Sequence, residues 1–341
     1  MLVWTSAAFL FVCLMPPASI HVAAGTPPID DQESKTSDNL GSWDRLPVIG
    51  VLTQKTNYPT SAELGTTFIL AQYVKWLQAG GANVVPIRPN QPDSYYEDIT
   101  SKINGVLFPG GGRNLRISGY AKAAKKINQL ALEYNDAGSY FPLWGTCLGF
   151  QLMNALRTEG MDDAPGFKYA SLTRCDAKEY MIPLNFTKDF RSSRLFKSMD
   201  PSLVKIISEK NITANQHKFC VPPWIHNTTE ELSSFFSILS TNTDRKGFEF
   251  ISTMEAKDYP FYGVQWHAER GIFGMGARHT ELFTSESVRV GQYFTNFFVN
   301  EARKSDHRFT STAEEASVLI DNHHPVRIPF KHYLRYIFPE N

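Results

Sequence analysis

A cysteine, a histidine and a glutamate in this 341-residue chain have the surroundings that covalent catalysis requires. Cys147 lies in the run Phe141-Pro-Leu-Trp-Gly-Thr-Cys-Leu-Gly-Phe150, which predicts a short buried strand, a tight turn and the start of a helix. The small residues Gly145 and Gly149 allow that helix to approach the strand closely. A helix N-terminus favours the thiolate, which is the form that attacks a carbonyl carbon. The pattern therefore predicts a cysteine nucleophile and acyl-transfer chemistry.

The predicted base and its orienting partner are His267 and Glu269, which follow a predicted strand at Phe261 to Trp266. Their spacing of two places both side chains on one side if the backbone stays extended. Glu269 would then hold one imidazole nitrogen and leave the other facing Cys147, which is the logic of a catalytic triad. Alone, Cys147 would be about as often structural as catalytic, His267 would more often be a structural histidine, and Glu269 could merely form a salt bridge, so the prediction depends on the three together.

A third element is the run Val106-Leu-Phe-Pro-Gly-Gly-Gly-Arg113, an apolar strand end that leads into three glycines. Glycines adopt unusual φ values and leave backbone N–H groups exposed. Together with the N–H of Leu148, such a loop predicts an oxyanion hole.

The elements that must position these residues alternate between strand and helix. The N-terminal half contains predicted strands at 47–53, 83–87, 103–108 and 141–144, and predicted helices at 61–78 and 120–135. This order predicts an α/β fold with three α/β/α layers and a mostly parallel central sheet, whose sites gather at the carboxyl ends of strands. Later segments at 203–207, 235–239, 248–253 and 261–266 favour shorter β structure, the last two as a hairpin, before a helix at 288–302.

Three motifs together resemble the γ-glutamyl hydrolases: Phe-Pro-Gly-Gly, Trp-Gly-Thr-Cys-Leu-Gly-Phe and Gly-Val-Gln-Trp-His-x-Glu. These enzymes are omega peptidases of family C26 that cleave folate poly-γ-glutamates. They belong with the class I glutamine amidotransferase-like hydrolases. The resemblance covers nearly all of the mature chain and implies their flavodoxin-like fold and a homodimer. It implies neither a metal nor a cofactor.

The resemblance also implies roles for individual residues. It makes Cys147 the nucleophile, His267 the general base and Glu269 the third member of the triad. Gly111 and Leu148 match the backbone positions of the oxyanion hole.

Predicted substrate contacts are less well marked. The segment Thr213-Ala-Asn-Gln-His-Lys218 resembles a family stretch whose histidine, here His217, lies at the active site. Arg113 and Arg270 lie in or near the site loops and would attract an anionic substrate. Gln151 occupies a position where several animal members have glutamate, and Ala268 stands where the superfamily usually has proline; neither departure removes a reacting group.

The resulting hypothesis is a cysteine hydrolase that cleaves γ-glutamyl amide bonds of folate or antifolate poly-γ-glutamates through a thioester. Two alternatives remain open at this stage. One is a glutaminase of the amidotransferase type, and the other is a non-catalytic protein that binds folates or γ-glutamyl peptides.

The first residues predict a compartment. Residues 1–24 carry no charged side chain and contain an apolar run, which is typical of a secretory signal peptide. We expect a flexible leader at 25–45, the catalytic domain at 46–305 and a C-terminal extension at 306–341 that docks on it. N-glycosylation sequons begin at three asparagines, and they favour a lysosomal or extracellular protein: Asn185, Asn211 and Asn227.

Composition excludes some partners. The formal net charge is zero, and no basic run with interleaved aromatic residues predicts nucleic-acid binding. No segment after the signal peptide is apolar and long enough to predict a membrane span. Cys13 leaves with the signal peptide, so Cys147, Cys175 and Cys220 remain. Cys175 and Cys220 could pair, but their positions in the sequence do not establish it.

Overall fold

The computed structural model of the chain describes residues 45–56, 64–158, 170–274, 284–327 and 333–339, and every structural statement below concerns these residues. The predicted signal peptide and all of the predicted leader except Arg45 lie outside the described residues. The first three residues of the helix predicted at 61–78 also lie outside them.

The described residues form strands and helices in an alternating order through the first half of the chain. The strands are β1 Val48–Leu52, β2 Gln54–Lys55, β3 Thr67–Leu70, β4 Asn83–Ile87, β5 Val106–Phe108, β6 Leu143–Thr146, β7 Thr173–Ile182, β8 Asn185–Phe186, β9 Thr213–Cys220, β10 Phe236–Thr243, β11 Glu249–Ala256, β12 Phe261–Val264, β13 Val326–Arg327 and β14 Leu334–Phe338. The helices are α1 Ala71–Ala79, α2 Asp93–Thr100, α3 Gly119–Asp136, α4 Leu148–Arg157, α5 Pro201–Glu209, α6 Pro223–Thr228, α7 Glu230–Ser233, α8 Arg270–Phe273, α9 Ser285–Ala302 and α10 Thr312–Val318.

An eight-stranded sheet in the order β4-β1-β5-β6-β12-β11-β10-β8 forms the centre of the fold. The neighbouring pairs from β4 to β12 are parallel, and those from β12 to β8 are antiparallel. The predicted α/β class with a mostly parallel sheet is therefore confirmed. The predicted hairpin is confirmed as β11 and β12, which bring the chain back to β6, the strand that precedes Cys147.

Helices cover both faces of this sheet. Successive side chains of β1 point to opposite faces and all of them are buried, so both faces must be covered. Val48 and Leu52 pack with α2, α3 and α4 in one apolar core. Ile49 and Val51 point to the other face and pack with α1 and α9 in a second core. The arrangement has the three layers that the order of elements predicts.

Two predicted elements are wrong. The segment predicted as a helix from 61 to 78 is helical only in α1; Thr67–Leu70 instead form β3, which pairs with β2 and with β14 from the C-terminal part of the chain. The segment at 203–207, predicted as β structure, lies in α5. Its helix begins at Pro201, and the side chain of Asp200 accepts a hydrogen bond from the Ser202 N–H.

Two smaller sheets complete the described structure: one has the order β13-β14-β3-β2, and the other pairs β7 with β9. The antiparallel β7–β9 pair lies next to the predicted site, because the backbone N–H of His267 donates to the carbonyl of Ala214 in β9, with a nitrogen–oxygen distance of 2.9 Å. Within the described ranges, no helix has both the length and the apolar character needed to cross a membrane.

We expect Gly149→Ala to lower the free energy of unfolding by about 1–3 kcal/mol, because overpacking of this size shifts the backbone. A Cβ at Gly149 would overlap the carbonyl oxygen of Phe108 at the end of β5. Urea denaturation measures the change, with Gly112→Ala as the control, because a Cβ at Gly112 meets nothing within 4 Å. Equal stability of the two variants would contradict close packing of α4 on β5.

Candidate active site

Cys147 lies between β6 and α4 with φ 52° and ψ −99°, a backbone conformation that non-glycine residues rarely adopt. Its N–H donates to Val264 in β12 at 2.8 Å, and its carbonyl accepts from Gln151 at 3.0 Å. These bonds hold the turn from both sides. The thiol is free and buried, and the Leu148 N–H at the start of α4 points to the sulfur. The predicted strand, turn and helix are thus present, with the sulfur beside the first helical N–H.

His267 and Glu269 form a buried pair in which Nδ1 lies 2.6 Å from Oε1. The contact was expected, but the backbone that makes it is different: Glu269 has helical dihedrals (φ −65°, ψ −24°) at the cap of α8 rather than extended ones. The other imidazole nitrogen, Nε2, is buried and has no hydrogen-bond partner among the described residues. A Cβ added to Gly110 would lie 2.8 Å from His267 Cε1 and 3.2 Å from Cys147 Cβ, so imidazole and cysteine converge on one point.

The glycine loop after β5 is held by three buried side chains, one of which is Tyr120, whose hydroxyl donates to the Pro109 carbonyl at 2.9 Å. Tyr73 in α1 accepts a hydrogen bond from the Gly110 N–H at 2.8 Å, and its hydroxyl lies 3.3 Å from His267 Nδ1. The amide of Gln54 donates to the carbonyls of Pro109 and Gly110 at 3.3 and 3.1 Å, and fills the space where a side chain on Gly111 would lie. Because the Gly110 N–H donates to Tyr73, it is not available to a substrate, whereas Gly111, the predicted oxyanion donor, lines the cavity described below.

Burial and one nearby cation set the charges of the site. Burial raises the pKa of Cys147 to about 12, although the guanidinium of Arg270 and the Leu148 N–H act in the opposite direction. Burial and Arg270 lower the pKa of His267, against the pull of Glu269. Burial alone would raise the pKa of Glu269, but His267 and Arg270 together lower it. These shifts favour a protonated thiol, a neutral imidazole and an ionised carboxylate at rest, so burial opposes the helix N-terminus, which favours the thiolate.

A cavity of about 530 Å³ opens over Cys147. It is lined by Gly111, Gly112, Arg113, Asn114, Leu115, Cys147, Leu148, Gln151, Leu172, Lys178, Gln216, His217, Lys218 and Phe219. Among these are three cations, Arg113, Lys178 and Lys218, and none of the lining residues that the structure describes is acidic. The cavity therefore suits an anionic ligand.

The structure brings most of the predicted substrate contacts to this cavity. Arg113, Gln151 and His217 line it, whereas Arg270 does not: its side chain is buried in the site, and its Nε and Nη1 have no hydrogen-bond partner in the described part of the chain. Its placement does not support the predicted contact between Arg270 and substrate. The Nε2 of Gln151 donates to the carbonyl of Phe219 at 2.7 Å and so ties α4 to β9.

His217 lies in β9 and is almost fully enclosed. Its Nε2 lies 3.0 Å from Asn215 Oδ1 and its Nδ1 lies 3.1 Å from the Phe219 carbonyl oxygen. Cys175 and Cys220 form a disulfide beside the same ring. Because both sulfurs are in the disulfide, this Cys-His-Cys group lacks the thiolates with which cysteine binds a metal.

Sequence reasoning did not identify Tyr73, Gln54, Lys178 or Lys218 as residues of the site. Tyr73 and Gln54 stand in apolar surroundings where the pattern predicts core packing. Lys178 lies in a strand that carries no motif, and the pairing of β7 with β9 brings it to the same cavity as Lys218. The sequence did contain a signal for Lys218, because this lysine directly follows His217, which was predicted to contact the substrate.

The chain is similar to known proteins over most of its length. The family model described as Peptidase C26 matches residues 47–269. The gamma-glutamyl hydrolase of Mus musculus is 42% identical over 281 residues, which cover 82% of this chain and 85% of the mouse protein. The Homo sapiens enzyme of the same name is 40% identical over 84% of this chain and 87% of its own length. Gamma-glutamyl hydrolase B of Dictyostelium discoideum is 37% identical, with 84% and 80% covered.

Among solved structures, a glutamine amidotransferase from Thermotoga maritima is similar to this chain with a TM-score of 0.45 and 12% sequence identity. The superposition covers 76% of this chain and 99% of the amidotransferase.

The buried ring of His217 makes stability depend on pH. Burial and the nearby His267 lower the pKa of His217 from 6.5 to about 3. Between these two pKa values the unfolded chain binds a proton at His217 and the folded chain does not. The contribution of the neutral ring to the free energy of unfolding is therefore fully present above pH 6.5 and is lost as the pH falls towards 3. We expect His217→Gln to reduce the slope of the free energy of unfolding by up to about 1.4 kcal/mol per pH unit between about pH 6 and pH 4.

Urea denaturation at several pH values within this window tests the prediction. The control is His324→Gln, whose side chain is exposed. Parallel pH dependences for wild type and His217→Gln would show that the ring is protonated in the folded state.

Proposed function

The chain belongs to the peptidase C26 family, and we propose that it is a cysteine hydrolase of γ-glutamyl amide bonds that acts on folate-type poly-γ-glutamates. One observation carries the proposal: the buried His267–Glu269 pair lies beside Cys147 at Gly110, its Nε2 has no hydrogen-bond partner among the described residues, and Cys147 lines a cationic cavity. The similarity to gamma-glutamyl hydrolases over more than four fifths of the chain supports the choice of bond.

In the first step, Cys147 loses its proton as its sulfur attacks the substrate. With the thiol protonated and the imidazole neutral, His267 takes the proton of Cys147 as the sulfur attacks the carbonyl carbon of the γ-amide. The imidazolium that forms is stabilised by ionised Glu269, which holds Nδ1 at 2.6 Å. Glu269 keeps its charge because His267 and Arg270 lower its pKa.

The negative charge that develops on the carbonyl oxygen needs donors that are already in place. The N–H groups of Gly111 and Leu148 supply them at the edge of the cavity, and Tyr73 and Gln54 hold the loop that carries Gly111. His267 then gives its proton to the departing amine, and a thioester remains on Cys147. Water that His267 deprotonates attacks the thioester, releases the γ-carboxylate and restores the thiol.

The cavity also suits the rest of such a substrate. A γ-linked glutamate keeps its α-carboxylate free, so every residue of the chain carries a negative charge beside the amide that links it. Arg113, Lys178 and Lys218 line the cavity that would hold this charge, and none of the described lining residues is acidic, although Lys178 Nζ also lies 3.9 Å from Oε1 of the neighbouring Glu179. Electrostatic attraction of this kind raises the local concentration of an anionic substrate.

The route through the cell is part of the same proposal. A secretory signal at 1–24 would deliver the protein to the lysosome or the extracellular space. The three sequon asparagines are exposed, which is what glycosylation requires of an acceptor. The division into a catalytic domain at 46–305 and an extension at 306–341 and the homodimer implied by the family resemblance remain predictions.

We expect Cys147→Ala to lower kcat for a folate pentaglutamate by at least about 10⁴-fold, because no other described nucleophile occupies the turn. Glu269→Gln should lower kcat by about 10²–10⁴-fold, since His267 loses the charge that stabilises its protonated form. Mass spectrometry of the products measures both effects. Glu255→Gln is the matched control. This buried carboxylate accepts hydrogen bonds from the backbone N–H groups of Arg194 and Leu195, and it does not line the cavity.

The same assay separates the alternatives. Wild-type protein that releases ammonia from free glutamine but leaves the pentaglutamate intact would be a glutaminase. Protein that binds the pentaglutamate and cleaves neither compound would be a binding protein, and either result refutes the proposal.

Secreted protein should lose mass when a peptide N-glycosidase removes its glycans. We expect this loss to disappear in the triple variant Asn185→Gln, Asn211→Gln and Asn227→Gln, because the acceptor amides are gone. Intact-mass spectrometry measures the change. An unmodified wild-type protein recovered from the medium of a eukaryotic host would contradict the glycosylation part of the proposal.

A further inference from the structure

The antiparallel pair β7–β9 forms one wall of the cavity, and we call it the wall ribbon. Lys178 of β7 and the consecutive residues Gln216 to Phe219 of β9 line the cavity from this side. The ribbon is a separate two-stranded sheet rather than part of the central one. Two strands alone are marginally stable, so the position of the wall depends on whatever else connects them.

The ladder of the wall ribbon is interrupted beside the cavity. Arg174 pairs with Phe219 and Ala177 pairs with His217, so the two residues Cys175 and Asp176 of β7 lie opposite the single residue Lys218. Such a bulge leaves part of the backbone without ladder bonds. The Cys175–Cys220 disulfide crosses the ribbon at this point, with its Cα atoms 6.0 Å apart. The covalent bond therefore connects the strands beside this bulge, which is one of two irregularities in the ladder.

The disulfide also packs on the ring of His217. The Nδ1 atom lies 3.6 Å from the sulfur of Cys175 and 3.4 Å from that of Cys220. Phe250 packs edge-to-face at 5.1 Å between ring centroids. The two sulfurs and the ring of Phe250 enclose the imidazole of His217 and so restrict its orientation beside the cavity.

We propose that the Cys175–Cys220 disulfide is a positioning element for substrate binding, which holds the wall ribbon and His217 in place, and that its reduction by a dithiol weakens binding without disabling the triad. The inference rests on the proposed function, since substrate binding is measured through hydrolysis. It concerns a different part of the molecule, because neither sulfur touches Cys147, His267 or Glu269.

Support for the base and support for the cavity wall lie at opposite ends of the wall ribbon. Its far end, where Ala214 bonds the backbone of His267, keeps the ladder pairs Met181–Ala214 and Ile182–Thr213. The end with the disulfide carries Lys218 and Phe219, which line the cavity. Loss of the covalent bond therefore disturbs the wall more than the base.

Reduction of the wild-type protein tests the proposal directly. The dithiol gives two electrons and two protons: the S–S bond breaks, two thiols form, and the dithiol becomes a disulfide. We expect KM for a folate pentaglutamate to rise about 10-fold to 100-fold after reduction, while kcat stays within about threefold. Alkylation with mass spectrometry counts the thiols of both samples, so that Cys147 is known to be reduced in each.

The double variant Cys175→Ser/Cys220→Ser should reproduce the reduced state without any reductant. Hydrogen exchange should rise in 173–182 and 213–220 in both forms, because the bond that closes the ribbon is lost. Val299→Ala is the control for general loss of stability: this residue is buried in α9 within the core on the other face of the sheet, so the variant should destabilise the protein without raising KM. If the double variant does not fold, reduced wild type alone decides the question.

Equal KM values for the oxidised and reduced proteins would overturn the proposal, as would a loss of kcat at unchanged KM. Absence of hydrolysis by the oxidised protein is a different result, because it refutes the proposed function before the two redox states are compared.

Discussion

The backbone turn at Cys147 is the constraint on which the site depends. A positive φ at a residue with a side chain costs on the order of 1–3 kcal/mol, so the turn persists only because its surroundings allow no other conformation. β6 is buried and pairs on both sides, and Gly149 brings α4 against the end of β5 with no room for a methyl group. The same turn places the sulfur and the Leu148 N–H side by side. Nucleophile and oxyanion donor are therefore positioned by one feature.

Burial of this turn controls its electrostatics. An isolated buried charge is unfavourable, but Glu269 and Arg270 are adjacent and of opposite sign, so the resting site has no net charge if the thiol and the imidazole are neutral. The guanidinium of Arg270 is buried close enough to Cys147 and His267 for its positive charge to act on both. That charge lowers the pKa values of both Cys147 and His267 and so favours the sulfur anion during attack. Burial dominates at rest and so opposes the thiolate that a helix N-terminus favours.

The sequence predicted those parts of the fold and site that short motifs encode. A strand, a glycine turn and a helix around Cys147 are local, and the hairpin of β11 and β12 is local as well. β3 was missed because residues 67–70 pair with β14, more than 260 positions away in the sequence, and no local pattern contains such a partner. The helix α5 was missed for a different reason: its β-branched residues outweighed the start signal of Asp200 and Pro201. Lys178 was missed because it lies in no motif and reaches the cavity only through the pairing of β7 with β9, whereas Lys218 was missed although it directly follows His217.

β9 connects the two halves of the site. Alternation along the strand places Asn215 and His217 on one face, where they bond each other, while the Ala214 carbonyl holds the backbone of His267. One strand thus borders the substrate cavity and also supports the base. The two tasks lie at opposite ends of the strand, because Ala214 pairs with Met181 and Cys220 pairs with Thr173. The disulfide therefore holds the end that borders the cavity, while the end that bonds the backbone of His267 keeps its own ladder pairs.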